Sequence, residues 1–235
     1  MHSLRCVLAE WQLLRSRLVR SRLGIWLLLL GAAGVWLAAR GGPLTVLAPH
    51  VAMLSAVLGV AFTAASDADR AALSLILTHP TTPLAVAAGR WLAAVTAAGM
   101  LVLALLFVSG AASSGPAGLL ARAGAAACGA AAAAAGCALV AGAAGGNALA
   151  GVLFFYIAVP SVYIAVPSVI SADTLGAGPA AGALARAATL VLELLPGVWR
   201  YAALAHGDPV GWIHAGCWAV GGVAGTAWLL SRRTL

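Results

Sequence analysis

The sequence predicts an all-α integral membrane protein, and three observations predict it. Hydrophobic residues make up 63% of the 235, the mean hydropathy is +1.03, and only 8% are charged. Such a composition lies outside the range of soluble domains. Apolar runs of about 17 to 25 residues, the length that crosses a hydrocarbon core, recur six times along the chain. The expected architecture is therefore six transmembrane helices, with an interfacial amphipathic helix over residues 1–22 and a short cytoplasmic helix between spans two and three. Residues 23–235 form the transmembrane domain.

The elements follow in order. Leu4, Val7, Leu8, Trp11, Leu14 and Leu18 recur at helical spacing, while Arg5, Gln12, Ser16, Arg17 and Arg20 fall mainly on the other side. That pattern fits a helix lying in the membrane interface; a basic flank that orients the first span fits equally well. An Arg-rich stretch precedes the first apolar run and no small-residue cleavage pattern follows it, so a removable signal peptide is not expected. Span one runs over about Leu23–Ala39 and span two over about Leu44–Ala65, joined by the turn "RGGP". Span three follows Pro83 and reaches about Ser109; "SGAASSGPAG" makes the next turn. Span four, about Leu119–Val140, is so rich in Ala and Gly that its backbone can approach a neighbour closely. Span five covers about Leu149–Ile170 and span six about Val210–Leu230. The stretch between them is too polar for a span and too apolar for a solvated loop. It reads as short helices partly re-entering the outer leaflet, broken at Pro196-Gly197.

Arginine sets the orientation. With the N-terminus inside, Arg5, Arg15, Arg17, Arg20, Arg22, Arg70, Arg90, Arg232 and Arg233 are cytoplasmic, against Arg40, Arg122, Arg186 and Arg200 outside. The asymmetry places both termini in the cytoplasm. Arg90, a few residues into span three, is expected to snorkel, because a central arginine costs roughly 2.5 to 3.5 kcal/mol.

In this topology the stretch Ser66–Arg90 contains the only substantial cytoplasmic loop. Ser66 and Asp69 have capping-box spacing, and the carboxylates of Asp67 and Asp69 sit near the positive end of the helix dipole. Leu73, Ile76 and Leu77 form an apolar face that anchors the helix to the bundle; Asp67, Arg70, Ser74 and Thr78 form a polar face left for a partner. Pro80 ends the helix, since His79 before a proline is biased out of helical geometry.

The segment "DADRAALSLILTHPTTPLAVAAGRWLA", with its acidic start, its "L-x-L-x-x-P" ending and its Gly89-Arg90 step, resembles the loop after span two in type-2 ABC exporter permeases. "LAPHVAMLSAVLGVAF" and the Pro-bearing fifth span are similar to the CcmB family, the permease-like subunit of cytochrome c maturation heme export. This chain has Asp67 or Asp69 where the family has glutamate, alanine where it has glycine before the helix, and Arg90 where lysine is common. Its stretch between spans five and six looks longer than in CcmB and resembles the outer re-entrant hairpin of general type-2 permeases. The resemblance implies that the short helix is a coupling helix, with Asp67, Asp69, Arg70, Ser74 and Thr78 contacting a separate ABC ATPase. It implies a bacterial inner-membrane assembly of two permease chains, self or a second one, with two ATPase copies that bind ATP and Mg. Membrane lipids, and in the CcmB case cytochrome c maturation proteins, are the other partners.

The residues of this chain agree with an external energy source. It contains no lysine, so it cannot form a Walker A phosphate loop. No cofactor or metal site of its own is expected. Cys6, Cys128, Cys137 and Cys217 form no CxxC pair. The net charge of +7 lies beside membrane spans, which excludes a nucleic-acid role. His206 and His214 sit among Trp199, Trp212 and Trp218, a composition that membrane interfaces favour without any heme. No HExxH, GxGD or GxSxG signature occurs, so the chain is not expected to be an enzyme.

Span five carries a perfect tandem repeat, "YIAVPSV" at Tyr156–Val162 and again at Tyr163–Val169. Seven residues is close to two turns, so Tyr156 and Tyr163 share a face, as do Pro160 and Pro167. The prolines interrupt the hydrogen-bond ladder, which suits a gate; a neutral seven-codon duplication accounts for the pattern equally. The gating reading places a translocation path along His50, Tyr156, Pro160, Tyr163 and Pro167. A non-transporting scaffold or sensor subunit is the alternative to transport.

Overall fold

The computed structural model describes residues 4–9, 11–12, 22–66, 82–110, 115–170, 179–204 and 206–233. Among them every regular element is helical: residues 4–9 and 11–12, then α1 (Arg22–Ala39), α2 (Leu44–Ser66), α3 (Pro83–Val108), α4 (Gly115–Ala143), α5 (Ala148–Leu153), a π-turn (Phe154–Ala158), α6 (Val159–Ile170), α7 (Pro179–Leu194), α8 (Val198–Leu204) and α9 (Val210–Arg233). Five helical runs are long and apolar enough to cross a membrane: α2, α3, α4, the continuous run from α5 into α6, and α9. The bent pair α7–α8 makes a sixth if it counts as one span. The chain is an all-α protein with the helices of a multi-pass membrane protein. The helix expected as span one, α1, has 18 residues. That is about 27 Å of helix, slightly less than the roughly 30 Å of a hydrocarbon core. It packs on α2 and α3 through Gly31, which faces Leu101, and Gly34, which faces Val51 and Leu105. The coupling-helix residues Asp67, Asp69, Arg70, Leu73, Ser74, Ile76, Leu77 and Thr78 lie outside the described residues.

Local chemistry explains where the helices start and stop. Thr82 caps α3, its Oγ1 accepting the Ala85 amide at 3.2 Å, with Pro83 at the first helical position. Asn147 does the same for α5, accepting the Leu149 amide at 3.0 Å, and Asp208 for α9, accepting the Val210 amide at 3.0 Å. The link from α4 to α5 turns within residues 144–147, with Gly145 and Gly146 at φ +76° and +91°. Only glycine adopts two such angles in succession without strain.

At the bundle centre stands α4, packed against α2, α3, α5, α8 and α9. Its buried face is Ala125, Ala126, Cys128, Gly129, Ala130, Ala132 to Gly136, Cys137 and Ala141, with hardly a side chain beyond a methyl or thiol. Lipid tails are as apolar as leucine, so helix association depends on contact distance, and small residues allow backbones to touch. They do so at Gly222 on α9. A Cβ there would lie 2.7 Å from both the Cβ and the carbonyl oxygen of Ala135. Larger partners fill the places where α4 presents glycine: Met53 and Tyr201 over Gly129, Phe155 and Trp218 over Gly136, Trp212 over Gly124. The close approach expected of span four is therefore what the core is made of.

The N-terminal helix is docked as well as amphipathic. Trp11 donates from Nε1 to Thr96 Oγ1 at 2.9 Å and packs beside Leu27, Leu58, Phe62 and Ala93 of the first three helices. At one end of the bundle Val86 and Ala87 of α3 pack on Ala227 and Leu230 of α9, and Gly142 of α4 lies against Leu229. The start of α3, the α4–α5 turn and the end of α9 thus share one face of the molecule.

Substituting Gly222→Val should destabilise the protein by about 1 to 3 kcal/mol or more, because the clash is with backbone. Gly221→Val, where a Cβ meets nothing within 4 Å, should stay within about 0.5 kcal/mol of the parent. Reversible unfolding in mixed micelles measures both; equal losses would disprove the α4–α9 contact.

Candidate functional site

Between span five and α9 the chain makes an irregular excursion. Helices α7 and α8 meet at a 67° bend, separated by Leu195, Pro196 and Gly197. Proline at 196 supplies no amide to the ladder, and at Gly197 any side chain would overlap the Trp199 ring. The break is enclosed: Pro196 and Gly197 are buried, and α8 packs on α2, α4 and α9. This is the broken pair that the Pro196-Gly197 step predicts.

A helix that stops leaves its last carbonyls without amide partners. The final carbonyl of α7, at Leu194, is met by two side chains of α9. Trp218 Nε1 donates to it at 2.8 Å, and His214 Nε2 lies 3.1 Å away. A carbonyl can only accept, so His214 carries its proton on Nε2. In the neutral ring Nδ1 then accepts, and its partner is the hydroxyl of Tyr201 on α8, 2.9 Å away. The chain of donors runs from Tyr201 O–H to His214 Nδ1, then from Nε2–H to the Leu194 carbonyl. Tyr201 itself has no exposed surface and sits over Gly129 of α4. His214 and Trp218 lie four and eight residues into α9, about 6 and 12 Å from its start. The knot thus fastens the α7–α8 break below the end of the last span.

The span-five residues fall on two neighbours rather than one. Tyr156 is half-buried and meets the His50 ring of α2 edge-on at 6.3 Å. Tyr163 is exposed and stacks on Trp199 of α8, centroids 4.1 Å apart and planes 19° apart. Between α5 and α6 the helix widens into the π-turn Phe154–Ala158, where the Val159 amide reaches back to the Phe154 carbonyl. Pro160 follows at once. Having no amide, it cannot bond Tyr156, and its ring crowds that carbonyl, so the preceding turn opens instead. Such π-turns recur at functional sites. Pro167 lies within α6. The structure therefore brings His50 to Tyr156 and joins Tyr163 to the broken pair.

Tyr201 and the Leu194 carbonyl were absent from the sequence reading, and Trp218 entered it only as an interface tryptophan. Their signal was the break itself: an orphan carbonyl at Pro196-Gly197 requires donors, and His214 and Trp218 are the side-chain donors on the buried side of the next helix. Both ring nitrogens of His214 are engaged, so while the knot holds the ring has no lone pair to offer a metal or heme iron. Among the described residues no group of three or more His, Cys, Asp or Glu side chains is placed to hold a metal ion.

No protein family, curated protein or solved structure matches this chain.

Tyr201→Phe should remove the donor to His214 and, with His214→Leu, give a coupling energy of about 0.6 to 1.7 kcal/mol, the range of interhelical hydrogen bonds in membranes. Unfolding of the two single variants and the double variant measures it. Strict additivity would show that the two side chains are not bonded.

Proposed function

We propose that this chain is the membrane-spanning permease subunit of a type-2 ABC exporter, energised by a separate ATP-binding subunit. The observation that carries the reading is the bent helix pair held between span five and the last span. Non-helical backbone at membrane depth is tolerated where protein buries it or where it borders a cavity, and a broken pair in this place is what the resemblance to type-2 permeases implies. A second feature supports it. The start of α3, the α4–α5 turn and the end of α9 share one face, and the sequence that joins α2 to α3, residues 67–82, is longer than the turn over residues 144–147. That face is cytoplasmic in the orientation the arginines favour.

In this reading two copies of the chain, or this chain and a second permease, assemble with two ATPase copies in a bacterial inner membrane. Asp67, Asp69, Arg70, Ser74 and Thr78 contact the ATPase, and Leu73, Ile76 and Leu77 hold the coupling helix to the bundle. Nucleotide-driven movement of that helix reaches span five through α2 and α4, the helices on which the start of span five packs. The π-turn and Pro160 give span five a place to flex, and the Tyr163–Trp199 stack passes the movement to the broken pair. Heme handling in cytochrome c maturation is the narrower form of the proposal, supported by the CcmB-like sequence of span two and the loop after it.

An exposed ion pair contributes only about 0 to 1 kcal/mol to folding. Truncating a desolvated charge at an interface costs about 2 to 5 kcal/mol of binding. Asp67→Ala with Asp69→Ala should therefore leave the melting temperature of the purified chain within a few degrees of the parent and abolish co-purification with the ATPase encoded beside it. A double variant that still binds this ATPase and couples its hydrolysis to transport would refute the assignment.

A further inference from the structure

We infer that Arg200 is the anion-binding point of a site for acidic amphiphiles, molecules with a phosphate or carboxylate head on an apolar body. Arg200 lies on α8, half-buried, and its Nε is buried without a hydrogen-bond partner. Three other arginines of the bundle are provided for. Arg40 lies over the Trp36 ring at 4.9 Å, Arg232 over Trp228 at 4.0 Å, and Arg186 donates from Nε to the Gly182 carbonyl at 3.2 Å. The acidic side chains nearest Arg200 among the described residues are committed elsewhere or face outward: Asp208 caps α9, and Glu193 is exposed on α7. A guanidinium nitrogen buried without an acceptor is costly, and within a membrane such a residue marks a ligand or partner.

The surroundings define the ligand class. Next to Arg200 on one side is Trp199, stacked on Tyr163; on the other is Tyr201, whose hydroxyl is taken by His214 and is closed to a ligand. Leu190 and Leu194, on the helix that leads into the break, are 58% and 66% exposed. The bent pair thus carries both exposed leucines on α7 and a ring stack on α8 for an apolar body to cover, with the charge at Arg200 for its head. The His214 contact places Tyr201, and with it Arg200, about 6 Å from the start of the last span. At that depth an amphiphile keeps its tail in hydrocarbon and its head against the guanidinium, whose planar fork fits a phosphate or carboxylate. The site does not depend on the chain being an exporter, since an annular lipid satisfies it as well as a transported molecule.

The test is a titration of the purified chain in dodecyl maltoside with dodecyl phosphate, followed by tryptophan fluorescence. Arg200→Gln should weaken binding about tenfold or more, as removal of a partly desolvated charge requires, while Arg186→Gln should change it less than about twofold. Inorganic phosphate at the same concentration should not displace the amphiphile. Should Arg200→Gln fail to fold, Arg200→Lys carries the test, because a point charge lacking the fork should bind measurably more weakly. Affinity within twofold of the parent for either variant would overturn the proposal, as would displacement by inorganic phosphate at equal concentration. Non-additive loss of stability between Asp173→Asn and Arg200→Gln would also overturn it, by assigning the guanidinium to an internal ion pair.

Discussion

A backbone carbonyl left unpaired among apolar side chains costs several kcal/mol, and this chain ends a helix at Leu194, beside the buried Pro196-Gly197 step. The architecture around that point follows from the need to satisfy it. Trp218 and His214 reach the carbonyl only because α9 lies hard against α4, and α9 lies there only because Gly222 lets it touch the Ala135 backbone. Tyr201 completes the knot from α8, and it fits because α4 offers Gly129 beneath the ring. A side chain at any of these glycines would move a donor away from its acceptor. The small residues of α4 are therefore as much part of the polar knot as the histidine is.

The same logic separates fixed parts from yielding ones. The α2–α4–α9 core is made mainly of alanine, glycine and valine, with α9 against the α4 backbone at Gly222 and Ser55 bonded back to Val51 at 2.6 Å. Span five is different. It crosses the bundle with less of its surface covered, and its ladder is widened at the π-turn. Its start packs on α2 and α4, with Gly151 against the Cys137 carbonyl, and further along it meets the protein through ring contacts, His50 with Tyr156 and Tyr163 with Trp199. Ring contacts slide at lower cost than interlocked backbones. In the exporter reading that contrast assigns motion to span five and the broken pair, and leaves the α4 seam as the frame against which they move.

Much of this was legible in the residues, and the reasons differ from place to place. Thr82-Pro83, Asn147 and Asp208-Pro209 are local capping signals, so the starts of α3, α5 and α9 follow from a few neighbouring atoms. The break at Pro196-Gly197 was legible for the same reason. The partners of Leu194 were not, because a hydrogen bond across 20 or 24 residues depends on how helices pack, and no local spacing encodes it. Heptad spacing put Tyr156 and Tyr163 on one face, but the π-turn adds a residue to the turn and the two rings meet different helices. Small residues in span four announced close packing without naming the partner; Gly222 and Gly129 do so only in three dimensions.

The central claim is that His214 is locked between Tyr201 and the Leu194 carbonyl. Nitrogen-15 NMR of histidine-labelled protein in bilayers, with the His214 signals assigned by their loss in His214→Gln, tests it directly. The account predicts a neutral ring at pH 7 with the proton on Nε2, an Nδ1 shift moved by a donated hydrogen bond, and a change in that Nδ1 shift in Tyr201→Phe. A proton on Nδ1, or an imidazolium at neutral pH, would contradict it.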